Sequence, residues 1–196
     1  MTTSLFDALG PVLAESNVSQ VASALGIDER QAASALQVAL PALVTALQRN
    51  AASQDGLTGL TRALDQNHDG SVLDDVVGFL AGGGASDGDA VLGHVLGDRR
   101  DQVARSVGRS TGLDTTSVIK LLSLVAPLVL GALSRARASR PGDVSDVLND
   151  ATSHIQRKSP DLMSTLGSLL DADHDGSAAD DLVRMAGSLS ELFATR

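Results

Sequence analysis

Val21-Ala-Ser-Ala-Leu-Gly26-Ile-Asp28 recurs as Val107-Gly-Arg-Ser-Thr-Gly112-Leu-Asp114, at an offset of 86 residues. The same offset carries Leu36 onto Leu122, Pro41 onto Pro127 and Leu47 onto Leu133. A register kept over that distance reads as an internal duplication, and a repeat governs how every element within it is read. In each copy a glycine stands where one helix should stop, because glycine enters the left-handed region freely. An aspartate follows two residues on, where its carboxylate can accept the unpaired N–H groups of the next helix. The unit is therefore helix, tight turn, helix. Pro41 and Pro127 fall well inside the second helix of each unit, where a proline costs roughly 3 kcal/mol by deleting a hydrogen bond and clashing with the preceding turn. A kink or a break is expected at both.

In the second copy, Val118, Ile119, Leu121, Leu122, Leu124, Val125, Leu128, Val129, Leu130 and Leu133 leave almost no polar face, so this helix should be buried all round. Apolar residues make up 43% of the chain but aromatics only 2%, namely Phe6, Phe79 and Phe193. A core of Leu, Val, Ala and Ile favours helix packing, and no strand pattern is found. The expected fold is an all-α helical bundle of two duplicated units, each with a helix-turn-helix-like pair and an EF-hand-like acidic loop. The first repeat should occupy residues 1–81 and the second 87–196, joined by the Gly-rich linker 82–86. Ser86 and Asp89 are expected to cap a helix running through Val91–Leu96. The acidic loops, which begin at Asp65 and Asp171, are offset by 106 instead of 86 residues. The second copy therefore holds extra residues, expected within Ser134 to Gln156.

The chain has no cysteine, which removes disulfides, thiolate metal sites and a cysteine nucleophile together. Met1 to Gly10 lacks the basic and apolar regions of a secretory signal, so a cytoplasmic protein is expected. The longest uninterrupted apolar stretch, Leu124 to Leu133, falls short of the ~18 residues a membrane span needs, so no membrane association is expected. The net charge of -9 makes the chain a poor binder of polyanions, and no nucleic-acid partner is expected.

The charge is concentrated in two segments. The first reads Asp65-Gln-Asn67-His-Asp69-Gly70-Ser71-Val-Leu-Asp74-Asp75, the second Asp171-Ala-Asp173-His-Asp175-Gly176-Ser177-Ala-Ala-Asp180-Asp181. Oxygen ligands at positions 1, 3 and 5, a glycine at 6 and a backbone carbonyl at 7, here from Ser71 and Ser177, are what a wrapped Ca²⁺ loop requires. Position 12, which should carry a bidentate acid, is Val76 or Leu182. Closure must come early, from Asp74 or Asp75 and from Asp180 or Asp181. Ser71 with Asp74, and Ser177 with Asp180, can form capping boxes that start the exiting helix sooner.

The same residues also suit a capped turn beside a helix N-terminus with no metal present. Repulsion favours an ion, since like charges ~4 Å apart cost roughly 4 kcal/mol at an effective dielectric of 20. All-oxygen ligands point to Ca²⁺ first and Mg²⁺ second. His68 and His174, at position 4, should face solvent. His94, between Leu92 and Leu96, should be structural.

With Gly112-Leu-Asp114, the run Leu121-Leu-Ser-Leu-Val-Ala-Pro-Leu-Val-Leu-Gly-Ala-Leu133, and Val91-Leu-Gly-His-Val-Leu-Gly97 upstream, the chain resembles the bacterial family catalogued as domain of unknown function 937 (YidB-like). The resemblance takes in the Asp65 loop and implies an all-helical bundle without implying an activity.

Three function classes follow. Val21 to Leu36 looks like a DNA-binding helix-turn-helix, the alternative reading, but its second helix offers only Glu29, Arg30 and Gln31 before alanine, leucine and valine dominate. No Ser-His-Asp arrangement, phosphate loop or dinucleotide fingerprint marks an enzyme. The expected function is a non-enzymatic divalent-cation-binding helical scaffold or protein-interaction module. Its apolar helices must be covered either by a second chain or protein partner, or by each other.

Overall fold

The computed structural model describes residues 4–67, 70–82, 85–97, 100–139 and 143–158. Among them every regular element is helical: α1 (Leu5–Leu9), α2 (Glu15–Leu25), α3 (Glu29–Ala51), α4 (Gln54–Asn67), α5 (Val76–Ala81), α6 (Ala85–Leu96), α7 (Arg100–Thr111), α8 (Thr115–Ala138) and α9 (Val144–Lys158). Short 3-10 turns at Gly10–Leu13 and Ser71–Leu73 join α1 to α2 and α4 to α5. The chain is all-α.

The turn chemistry acts as the sequence predicts. Gly26 and Gly112 end α2 and α7 at φ of 70° and 75°. The Asp28 carboxylate accepts from the Gln31 N–H at 2.8 Å to open α3, and Asp114 accepts from the Ser117 N–H at 3.0 Å to open α8. At α1, Ser4 and Asp7 form a reciprocal capping box, each side chain 3.1 Å from the other's backbone N–H.

The prolines do not break their helices. α3 runs unbroken through Pro41 and α8 through Pro127. The reason is burial. Ala39, Val44, Val125, Leu128 and Val129 beside these prolines are completely buried. Fully burying one Val or Leu gains about 1.5–3 kcal/mol, so two or three such side chains outweigh a proline's cost. The turn after Pro41 is closed by Thr45, whose hydroxyl donates to the Pro41 carbonyl at 2.8 Å.

α3 and α8 form the centre of one continuous core. α8 is covered by α6, α7, α1 and α3, while α3 also carries α2, α4 and α9. By length and mean hydropathy, 2.0, α8 would qualify as a membrane span, yet 78% of its most apolar window is buried within the protein. Uninterrupted apolar length understates this helix, because mean hydropathy averages over Lys120 and Ser123, which cut the apolar run short at Leu124. Among the described residues α8 is covered by other helices of the same chain.

α6 begins at Ala85, so the last two residues of the expected linker are helical and Asp89 lies inside the helix instead of capping it. The tertiary contact explains the difference. Asp89 pairs with Arg100 of α7 and accepts from the buried Ser123 hydroxyl of α8 at 3.0 Å. One carboxylate thus ties three helices, and the Arg100 guanidinium, aided by Ser123, holds it below the usual carboxylate range. Ser117 lowers Asp114 and Ser4 lowers Asp7 in the same direction.

These depressed groups add stability that is present above the unfolded aspartate value of about 3.9 and lost as pH falls through the lower folded values. Melting temperature should therefore drop as pH is taken below about 4. Asp89→Asn should flatten that drop, and an unchanged acid profile in this variant would remove Asp89 from the account.

Candidate functional site

The first acidic loop leaves the C-terminal turn of α4 and reverses at Gly70, whose φ is 94°, a region side chains rarely adopt. The 3-10 turn Ser71–Leu73 then lies on α8. Leu73 is buried, and the close approach is made by a glycine on the other side. A Cβ on Gly131 would stand 2.7 Å from the Val72 Cγ1 and 3.4 Å from the Gly70 Cα. Small residues on both surfaces thus seat the loop against the second half of the chain.

Beyond this contact, α8 ends in Arg135 and Arg137, cations at the helix end where the macrodipole favours them. The Arg137 Nη1 lies 2.8 Å from the Asp65 Oδ1, and Arg135 pairs with Asp74. Both pairs are partly exposed, so each contributes only about 0.2–1 kcal/mol. Their larger consequence is electrostatic. Part of the repulsion that called for a cation is relieved by two guanidinium groups reaching across from α8.

The capping box expected of Ser71 and Asp74 is not formed. Gly70 precedes the Ser71 turn without a side-chain cap, and Asp75 caps α5, accepting from the Gly78 N–H at 2.8 Å. The three-residue 3-10 turn postpones the helix to Val76, which moves the N-cap position from Ser71 to Asp75. The exiting helix starts later, not sooner.

Asp65, Asp74 and Asp75 therefore have separate neighbours: Arg137, Arg135 and the α5 N-terminus. Among the described residues, no three His, Asp or Glu groups stand close enough to share a metal ion. The Asn67 side chain, His68 and Asp69 lie outside the described residues, as do Asp171, Asp173, His174, Asp175, Ser177, Asp180 and Asp181 of the second loop.

Elsewhere, His94 is exposed on α6, and its backbone carbonyl accepts from the Asn50 side chain at 3.0 Å, linking α6 to the end of α3. In the helix-turn-helix-like pair, Glu29, Arg30 and Gln31 are exposed, while Ala32, Ala35, Leu36, Ala39 and Leu40 are buried. α3 is thus a core helix whose first half keeps one exposed face, continued by Ser34 and Gln37.

The sequence reading missed Arg135 and Arg137. Their signal was available: two arginines close the longest apolar helix, and the 86-residue offset places Arg135 on Arg49. What the sequence could not give is that the first loop would meet α8.

Residues 7–136 match the family described as a bacterial protein of unknown function (DUF937). No curated protein and no solved structure matches the chain.

Proposed function

The chain belongs to the bacterial family of unknown function DUF937, and from that footing we propose that it is a non-enzymatic helical scaffold whose acidic loops bind a divalent cation, Ca²⁺ before Mg²⁺. In the first loop the ion competes with Arg135 and Arg137 for the carboxylates. The observation that carries this reading is the left-handed turn at Gly70, φ 94°, the sharp reversal that a wrapped cation loop needs at its sixth position, with Asp65 and Asp74 on either side of it. Asp65, Asn67, Asp69 and the Ser71 carbonyl would supply the early ligands. Asp74 would close the loop by leaving Arg135, since Asp75 is engaged as the cap of α5. The second loop, Asp171 to Asp181, carries the same pattern.

The proposal includes the duplication. Moved by 86 residues, Glu15–Leu25 falls at 101–111 and Glu29–Ala51 at 115–137, against observed helices Arg100–Thr111 and Thr115–Ala138. α9 lies where the second copy has its extra residues.

A cation that binds the folded loop and not the unfolded chain stabilises by RT ln(1 + [L]/Kd), about 2.7 kcal/mol at a hundredfold excess over Kd. At about 2–4 °C per kcal/mol for a chain of this size, chelation should lower the melting temperature by roughly 5–11 °C. Isothermal titration should find a tighter site lost in Asp175→Ala and a weaker one lost in Asp69→Ala, because the second loop carries the greater ligand charge. Arg135→Gln with Arg137→Gln should tighten the weaker site several-fold, as the competing pairs are worth about 0.2–1 kcal/mol each. A wild type giving neither binding heat with Ca²⁺ or Mg²⁺ nor a melting shift with chelator would leave both loops as capped turns.

The nucleic-acid reading is answered by a separate measurement. With most of α3 committed to the core and a net charge of -9, binding to mixed-sequence duplex at physiological salt should be undetectable at micromolar protein. Submicromolar, salt-sensitive binding would replace the scaffold with a helix-turn-helix regulator.

A further inference from the structure

We draw no further inference here: the strongest candidate, the groove between α4 and α6 lined by Leu47, Val95 and Leu130 with Asp55, Arg62 and His94 beside them, is an unpartnered face, and nothing in the structure shows what covers it.

Discussion

Replacing Gly88 by alanine should lower the melting temperature by roughly 6–12 °C, while the same change at Gly93 of the same helix should raise it slightly. Gly88 is buried where α6 crosses α8, and a Cβ there would overlap the Ser123 carbonyl oxygen. That oxygen belongs to the backbone of the central helix and cannot turn aside as a side chain would. Overpacking costs about 1–3 kcal/mol, occasionally more, and an obstacle made of backbone argues for about 3. The crossing must widen, which also strains the Asp89 contacts to Ser123 and Arg100 one residue further on. At Gly93 nothing lies within 4 Å of an added Cβ, and alanine is the better helix former by about 0.5–1 kcal/mol. The two variants differ by the same methyl group on one helix, so opposite signs would isolate the crossing as the cause. Equal melting temperatures would mean that α6 does not meet α8 at Gly88.

Leu36→Ala and Leu122→Ala should each cost about 2–5 kcal/mol, a large share of the 5–15 kcal/mol typical of a whole domain. Both side chains are fully buried, Leu36 in α3 and Leu122 in α8, at positions related by the 86-residue offset. The more informative expectation is the shape of the transition. Because α3 packs on α8, α7 and α9, a cavity beside Leu36 should destabilise the second half of the chain as much as the first. Each variant should therefore unfold in one cooperative step at a lower denaturant midpoint. The chain has no Trp or Tyr, so the measurement is helical circular dichroism in urea, together with methyl resonances from both halves. If Leu36→Ala splits the curve and leaves the α7 and α8 signals unchanged, the halves are independent and the shared core is refuted.

Local signals were legible because they act within a few residues. Asp28, Asp114, Gly26 and Gly112 mark their helix ends from the sequence alone, since a cap needs only a carboxylate near a free N–H and a backbone that tolerates positive φ. The all-round apolar pattern of Val118 to Leu133 likewise forced burial, as no other arrangement hides every face of that helix. The acidic segment that leaves α4 and the glycine turn at Gly70 were visible in the same way.

What the sequence by itself determined is thus an all-helical chain, the positions at which α3 and α8 begin, and the need to bury α8. Tertiary structure decided the rest. It kept α3 and α8 continuous through Pro41 and Pro127, because burial of the surrounding side chains exceeds the local proline cost. It moved Asp89 from an expected cap to a three-helix junction. It also placed Arg135 and Arg137 against Asp74 and Asp65, pairs 61 and 72 residues apart along the chain. Such contacts depend on which helices pack together, and no spacing within one segment encodes that choice.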